Sequence, residues 1–221
     1  MTTVCGIDDA GRGPVIGPMV LAGVVLEVKD IPKLKTLGVT DSKLLTPSKR
    51  DKMYTEIILI AKKYKIIKIF PKEIDDAVLS NGSTNLNWLE AEKMAEIINY
   101  LKPENVVIDC PSNNKENFAK FLNSKIKVKT NLKCEHKADL NFIEVSAASI
   151  LAKVTRDKEI ELLKEKIGDD FGSGYPADPK TKKFLKDNWD KYPEIFRKSW
   201  SSYQVYSDGN KSKKQKTLGD F

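Results

Sequence analysis

The stretch TVCGIDDAGRGPVIGPMVLAGVVLE (residues 3–27) decides the fold, because it holds two apolar runs typical of β-strands with a glycine-rich link between them. This arrangement predicts a β-hairpin. The first run ends in Asp8 and Asp9, two adjacent carboxylates that repel each other and are costly to bury unpaired. Three glycines follow directly and give the backbone unusual freedom there. We therefore expect a positively charged group to lie among these residues.

The composition indicates a basic protein: 38 Lys and Arg against 31 Asp and Glu over 221 residues give a net charge of +7. This favours a polyanionic partner, although many basic proteins bind no nucleic acid. No apolar run reaches the ~20 residues of a membrane span and the N-terminus lacks a signal-peptide pattern, so we expect a cytoplasmic protein without a membrane partner. Cys5, Cys110 and Cys134 are scattered and lack a C-x-x-C pair, which predicts reduced thiols rather than a zinc site.

Beyond the hairpin, hydrophobic periodicity predicts helices that alternate with strands. The predicted helices cover residues 46–64, 87–101 and about 140–166, and the predicted strands cover 65–71, 105–111 and 125–130. In the second helix, Asn87 and Glu90 have the spacing of a capping box.

The composition changes twice after the last long helix. A glycine- and proline-rich loop over 168–179 is followed by short helices to about residue 206. From Ser207 onward the chain is polar and basic, which predicts a flexible tail. We therefore divide the chain into a main domain over 1–166, a helical extension over 167–206 and a tail over 207–221.

Carboxylates stand where two predicted strands end. If the strands that end in Asp8 and Asp109 are parallel and adjacent, these side chains meet at the edge of the sheet where ligands bind. Asp139 opens the long helix and is a third candidate. Taken singly, each is more typical of a turn residue or a helix cap. Together with Asp9 they form a cluster that divalent cations would neutralise, and all-oxygen ligands suit Mg²⁺ or Mn²⁺.

Six stretches of the chain carry a resemblance to a known family. In order they are GIDDAGRGPVIGP (6–18), TDSKLL (40–45), VVIDCP (106–111), HKAD (136–139), VSAASILAKVTRD (145–157) and GSGYPADP (172–179). The chain resembles ribonuclease HII in these blocks, and its details are similar to the archaeal branch. The resemblance implies an α/β protein of RNase H-like fold, with a mixed five-stranded sheet flanked by helices and a C-terminal helical extension.

The resemblance also implies an activity. Enzymes of this family are Mg²⁺- or Mn²⁺-dependent endonucleases that cut the RNA strand of RNA–DNA hybrids. They also cut 5′ to ribonucleotides embedded in duplex DNA, leaving a 3′-hydroxyl and a 5′-phosphate. The family's catalytic, metal-binding carboxylates fall on Asp8, Asp9, Asp109 and Asp139, although the family usually has Glu where this chain has Asp9. Such a cluster suits a two-metal mechanism. His136, the only histidine, is a weaker candidate for a general base than for a structural residue at the surface.

Residues that contact the substrate follow from the same resemblance. The Gly11-Arg12-Gly13 motif reads the ribose 2′-hydroxyl, because glycine lets the backbone approach the sugar and an Arg side chain can clamp the adjacent phosphate. Tyr175 matches a tyrosine that packs on the neighbouring sugar, and Lys43 matches a phosphate contact. From the residues alone, Tyr175 is more typical of a half-buried anchor and Lys43 of a solvated surface charge.

The last residues, QKTLGDF (215–221), place Gln215, Leu218 and Phe221 at the spacing of the box that binds the sliding clamp, PCNA. The usual second aromatic residue is absent, and a basic solubilising tail is the alternative reading. We expect a monomer that binds RNA–DNA hybrid and the clamp.

Two further functions stay open at this stage. A non-catalytic hybrid-binding protein of the same fold is favoured only by Asp9. Another nuclease of the fold, such as a resolvase or integrase, is disfavoured by the Gly-Arg-Gly motif and by GSGYP (172–176).

Overall fold

A mixed five-stranded sheet forms the centre of the protein in the computed structural model, which describes residues 2–39, 46–80 and 84–216. The strands are β1 (Thr3–Ala10), β2 (Met19–Glu27), β3 (Lys63–Ile69), β4 (Asn105–Asp109) and β5 (Asn131–Glu135). Their order across the sheet is β3-β2-β1-β4-β5. The predicted fold class is confirmed by this sheet.

Strand β1 is the central strand of the sheet, with β2 on one side and β4 on the other. It runs antiparallel to β2, as the predicted hairpin requires, and parallel to β4. Ile7 is opposite Ile108 in the parallel register. Asp8 and Asp109, the next residues of the two strands, therefore emerge together at the carboxyl edge.

Helices cover both faces of this sheet. In chain order they are α1 (Ile31–Thr36), α2 (Pro47–Ile60), α3 (Pro71–Val78), α4 (Leu86–Leu101), α5 (Lys115–Lys125), α6 (Ala138–Asn141), α7 (Ile143–Ile167), α8 (Pro179–Asn188) and α9 (Ser201–Lys216). Helices α4 and α5 share one core with one face of the sheet, and α7 shares a second core with the other face. None of the helices in the described residues is long and apolar enough to cross a membrane.

Successive side chains of β1 point to opposite faces of the sheet, so the strand contributes residues to both cores. Cys5 and Ile7 point into the α4 core, whereas Val4 and Ala10 point into the α7 core. Gly6 lies under α7 so closely that a Cβ atom there would be 2.1 Å from the backbone carbonyl group of Glu144. A side chain at this position would push the helix off the strand.

Three sequence predictions were wrong in their bounds. The first long helix ends at Ile60 instead of residue 64, because Lys63 already pairs with Val25 in β3. The predicted strand over 125–130 does not form: α5 occupies the chain to Lys125 and the strand that pairs with β4 is β5. The helix predicted over 140–166 is divided at Phe142, whose extended backbone separates α6 from α7.

The C-terminal extension ends in a helix. Helix α9 continues to Lys216, beyond the start of the predicted flexible tail at residue 207. Its side chain Tyr203 packs into a third apolar cluster with Phe171, Phe184 and Phe196, and Ile16 of the glycine-rich link belongs to the same cluster. The extension therefore rests on the link between β1 and β2. The three cysteines are free, and two of them, Cys5 and Cys110, are buried.

Candidate active site

Four carboxylates gather around the carboxyl ends of β1 and β4. The backbone N–H of Asp9 donates to Oδ1 of Asp8 at 2.8 Å. Oδ1 of Asp109 accepts from the backbone N–H of Ala138 at 3.0 Å. This bond ties the start of α6 to the end of β4, and it brings Asp139, in the first turn of α6, to the same edge. Asp8 and Asp139 are both buried.

Asp8 and Asp9 leave the strand toward opposite faces. The carboxylate of Asp8 faces Ser149 on α7, whose side chain acts to lower the pKa of Asp8. Asp9 instead lies near the positive charges of Arg12 and Arg197. The alternation of side chains along a strand requires this divergence, and the two carboxylates share one site only because β1 ends there.

Burial dominates the electrostatics of the cluster, and repulsion between the acids adds to it. Burial raises the pKa of Asp8 well above its ordinary value, and the charges of Asp9 and Asp109 raise it further. Desolvation raises the pKa of Asp9 to about 6, although Arg12 and Arg197 act in the opposite direction. Such carboxylates are ionised at a cost that a bound cation would offset.

The donor chemistry of the cluster suits a divalent cation. Carboxylate oxygens are the ligands that Mg²⁺ and Mn²⁺ prefer, and the pKa values of Asp8 and Asp9 are raised by burial first and by neighbouring acids second. In the part of the chain that the structure describes, no three Asp, Glu, His or Cys side chains are close enough together to form a ready-made ion site. The carboxylate oxygens are thus of the type that binds Mg²⁺ or Mn²⁺. The positive charge of such an ion would allow these carboxylates to move closer together.

The positive group expected beside the carboxylates is Arg12, whose side chain lies against α4 and is 35% exposed. It forms an ion pair with Glu90 and donates from Nη2 to Oδ1 of Asn87 at 2.7 Å. The prediction of a capping box from Asn87 and Glu90 is therefore wrong. The N-cap of α4 is Asn85, whose Oδ1 accepts from the backbone N–H of Trp88 at 3.1 Å.

The extension holds the Gly11–Gly13 loop by its carbonyl groups. Arg197, which is fully buried, donates to the carbonyl oxygens of Gly11 at 2.6 Å, Arg12 at 2.9 Å and Gly17 at 3.1 Å. The indole N–H of Trp200 donates to the carbonyl of Gly13 at 3.1 Å. Every carbonyl of the Gly11–Gly13 loop thus has a donor from residues 197–200.

These two residues were missed by sequence reasoning. A buried Arg that binds backbone carbonyls cannot be recognised from the residues it binds, because every residue has a carbonyl group. The only signal in the sequence was Gly11, which predicts an irregular loop because glycine readily adopts positive φ. Its φ is indeed 84°, but this signal does not indicate which residues hold the loop.

Tyr175 lies beside the same loop. The guanidinium of Arg156 is 5.3 Å from the centre of its ring, and a Cβ atom at Gly13 would be 3.5 Å from its Cε1. The carbonyl of Gly174 accepts from the backbone N–H of Val15 at 2.9 Å, so the GSGYP segment is bonded directly to the β1–β2 link. The ring is 39% exposed, which leaves it accessible to a ligand.

An open cavity of about 420 Å³ connects these features. It is lined by Asp9, the Gly11–Gly13 loop, Arg50, Ser149, Lys153 and Tyr175. Its lining includes the acid Asp9 and the basic side chains of Arg50 and Lys153, an arrangement suited to a phosphodiester between metal ions and cationic contacts.

The remaining predicted residues are placed elsewhere or not described. His136 is exposed, and its Nδ1 is 3.3 Å from the carbonyl oxygen of Cys110. Lys43, Leu218 and Phe221 lie outside the described residues. Gln215 belongs to the backbone of α9.

The fold and the site together define a class of protein: a hydrolase of RNase H-like fold with carboxylates at the ends of β1 and β4. The family model for ribonuclease HII matches residues 5–203. The ribonuclease HII of Pyrococcus furiosus is 46% identical over 222 aligned residues, which cover 98% of this chain and 96% of that protein.

Two solved structures share the fold. The ribonuclease H2 of Pyrococcus horikoshii superposes with a TM-score of 0.87 at 41% identity, covering 95% of this chain and 99% of that one. The ribonuclease HII from the PCNA complex of Archaeoglobus fulgidus superposes with a TM-score of 0.81 at 40% identity, covering 90% and 95%. The chain belongs to the ribonuclease HII family, and it is an enzyme of the ribonuclease H type.

Proposed function

We propose that this ribonuclease is a metal-dependent endonuclease that hydrolyses the RNA strand of RNA–DNA hybrids and cuts 5′ to single ribonucleotides embedded in duplex DNA. The products are a 3′-hydroxyl and a 5′-phosphate. The observation that carries the proposal is the adjacency, in one open cavity, of Asp9 and the Gly11–Gly13 loop. Scissile phosphate and ribose are neighbours in the substrate, and the groups suited to each are neighbours in the protein.

Asp8, Asp9, Asp109 and Asp139 would hold Mg²⁺ or Mn²⁺, and in a two-metal scheme these ions would supply the activation of a water and the stabilisation of the leaving oxygen. The protein's own groups orient this chemistry. Ser149 fixes the carboxylate of Asp8, and the N–H of Ala138 fixes that of Asp109. Lys153 and Arg50 line the cavity on the side from which a phosphate would enter.

Selection of ribose falls to the Gly11–Gly13 loop. The 2′-hydroxyl is the one group that distinguishes RNA from DNA at a given position. Arg197 and Trp200 hold the loop by its carbonyls, which makes the recognition surface rigid before the substrate binds. Tyr175 offers a ring face to the adjacent sugar. Lys43 remains a proposed phosphate contact.

One experiment tests this function. The protein is incubated with Mg²⁺ and a duplex DNA that contains one ribonucleotide, and an all-DNA duplex of the same sequence serves as control. Cleavage 5′ to the ribonucleotide, with the control intact, is the expected result. Binding without cleavage would indicate a non-catalytic hybrid-binding protein, and equal cutting of both duplexes would indicate a nuclease of another specificity.

We also propose that residues 215–221 bind the sliding clamp. The spacing of Gln215, Leu218 and Phe221 supports this, and the Archaeoglobus fulgidus relative was solved in a complex with PCNA. Helix α9 leads from the site to this motif. We propose that the enzyme acts as a cytoplasmic monomer, since one chain supplies all the residues that line the cavity.

A further inference from the structure

Two residues of α4 bind the side chain of Arg12. Glu90 forms an ion pair with Nη1, and Oδ1 of Asn87 accepts from Nη2 at 2.7 Å. Residues three apart lie on the same side of a helix, so Asn87 and Glu90 present their oxygens as a pair. The fork of the guanidinium matches this pair, and both of its Nη groups are engaged.

The buried carboxyl group of Glu90 depends on Arg12 as its partner. The Glu90 side chain is fully buried, and its Oε1 has no hydrogen-bond partner in the described residues. Within that same part of the chain, Arg12 is its one salt-bridge partner. If Arg12 swung out to a phosphate, the buried Glu90 carboxyl would lose this partner, and a buried polar group without a partner is strongly unfavourable.

The backbone of Arg12 is fixed as well. Its carbonyl accepts from Nη1 of Arg197 at 2.9 Å, on the side of the extension. Arg12 is thus held at its side chain by α4 and at its backbone by residue 197. Such a residue has little freedom to follow a substrate phosphate.

We propose that Glu90 is a positioning residue that, with Asn87, ties the Arg12 guanidinium to α4, so that the backbone of the Gly11–Gly13 loop selects the ribose and the guanidinium contacts no phosphate. This rests on the proposed function. It replaces the expectation, implied by the resemblance, that Arg12 clamps the adjacent phosphate. Glu90 acts on selectivity through Arg12 and touches no reacting atom.

Salt dependence separates the two roles of Arg12. Binding of a ribonucleotide-containing duplex is measured against NaCl concentration in the inactive Asp109→Asn protein, with and without Arg12→Ala. A side chain that neutralises one phosphate contributes about 0.9 to the slope of log K against log[salt]. We expect the slope to be unchanged by Arg12→Ala, and a decrease of about 0.9 overturns the proposal.

A double-mutant cycle tests whether Glu90 acts through Arg12. In the Asp109→Asn background, discrimination is the ratio of affinities for the ribonucleotide-containing and all-DNA duplexes. We expect Glu90→Gln to lower this ratio about 5- to 10-fold, the worth of about one hydrogen bond. Added to Arg12→Ala it should cause no further loss. Losses that multiply would overturn the proposal.

Two controls exclude a merely structural effect. Glu92→Gln removes the same charge from an exposed position on α4, where Glu92 pairs with Lys125 at 3.0 Å, and should leave discrimination unchanged. If Glu90→Gln fails to fold, the paired change Arg12→Met with Glu90→Met removes the buried charges together, which proteins often tolerate. We expect this pair to fold with its discrimination lost, and retained discrimination would overturn the proposal.

The proposed function and this inference fail differently. If the unaltered protein leaves the ribonucleotide-containing duplex uncut, the proposed function is wrong. If the unaltered protein cuts it and Glu90→Gln behaves as Glu92→Gln does, only the role of Glu90 is wrong.

Discussion

The individual carboxylates of the site are placed for chemistry at the expense of stability. Asp8 is buried beside two other acids, and its pKa is raised by burial and by their charges. Asp9 is partly relieved by Arg12 and Arg197, and its pKa of about 6 still lies above the ordinary 3.8. In the absence of cations, ionisation of either residue opposes folding.

Asp8→Asn should therefore separate activity from stability. Removing one charge from the proposed metal site should lower cleavage by at least on the order of 10²- to 10³-fold, comparable to the loss of a key electrostatic group. In metal-free buffer at pH 8 the variant should melt at a higher temperature than the unaltered protein, because a buried repulsion is gone. Cleavage assays and thermal melts followed by circular dichroism measure both effects.

Asp76→Asn is the matched control, since Asp76 is exposed and pairs only with Lys72 at 2.6 Å in the described residues. Cleavage and melting temperature should both stay close to those of the unaltered protein. A melting temperature that falls in Asp8→Asn would show that Asp8 stabilises the fold. Asp109→Asn should lose cleavage in the same way and keep its fold.

Asp9→Glu should raise activity or lower the Mg²⁺ requirement. Asp9 leaves β1 on the face opposite to Asp8 and must reach around the strand end, and Glu has one methylene more reach. Mg²⁺ demands nearly ideal octahedral geometry, so a displaced ligand weakens its site more than it weakens a Mn²⁺ site. Metal titrations of cleavage compare the two forms. Equal performance at low Mg²⁺ would show that the pocket has adapted to the shorter acid.

At the scale of elements, the apolar runs at β1, β2 and β4 made the centre of the sheet predictable. These strands are buried, so their sequences are long apolar runs. Asp8 and Asp109, at the ends of β1 and β4, indicate where the carboxyl edge of the sheet lies. Strand β5 was misplaced because it is short and charged, and only pairing with β4 defines it. The four carboxylates could be named from the sequence. Arg197 and Trp200 could not be identified from the sequence. They bind backbone carbonyl groups, which every residue carries, so no pattern of residue types marks the contact.

The turn that carries Arg197 and Trp200 is itself held from α3. The buried carboxylate of Asp75 accepts from the backbone N–H of Lys198 at 2.8 Å and of Ser199 at 2.9 Å, and from the Ser199 hydroxyl at 2.6 Å. Support therefore runs from α3 to the turn at 197–200, and from that turn to the Gly11–Gly13 loop.

Asp75→Ala should destabilise the protein by about 2–3 kcal/mol, because three hydrogen bonds to a buried carboxylate are lost. It should also reduce the preference for ribose, since the turn no longer supports the Gly11–Gly13 loop. Ser199→Ala, which removes one of the three bonds, should cost about 1 kcal/mol and leave the preference intact. Urea unfolding and paired cleavage assays provide the measurements. Unchanged stability in Asp75→Ala would contradict this account of the turn.

At the scale of the whole molecule, the buried acids set the pH dependence of stability. The folded pKa of Asp9 is about 6 against 3.8, and burial and Asp9 raise that of Glu90 to about 8 against 4.5. Between about pH 4 and pH 8 the folded state therefore binds more protons than the unfolded state. Where that holds, stability falls as pH rises.

Without metal, the melting temperature should decrease steadily from pH 5 to pH 8. Adding Mg²⁺ should raise it more at pH 8 than at pH 5, because the cation binds the ionised carboxylates. Melting curves at both pH values, with EDTA and with Mg²⁺, measure this difference. The Asp8→Asn protein serves as control and should respond less to the cation. A larger Mg²⁺ effect at pH 5 would contradict the assignment.

Deletion of residues 211–221 should leave cleavage of short substrates nearly unchanged and abolish binding to a sliding clamp. The deleted residues include the whole proposed motif, whereas the turn at 197–200 that supports the site is retained. Phe221→Ala isolates the aromatic contact and should weaken binding in the same direction. Titration calorimetry with the clamp measures both. Equal affinity with and without the segment would remove the proposed partner.

The bond between Trp200 and Gly13 joins residues 187 positions apart in the chain, and that between Arg197 and Gly11 joins residues 186 apart. Translation delivers the loop at the very beginning and its supports near the very end. While the ribosome is still working, the nascent chain already carries all four acids once Asp139 has emerged, yet its selective surface has no support. If this loop selects the ribose as we propose, discrimination between sugars is acquired only after residues 197–200 have emerged, long after the four acids.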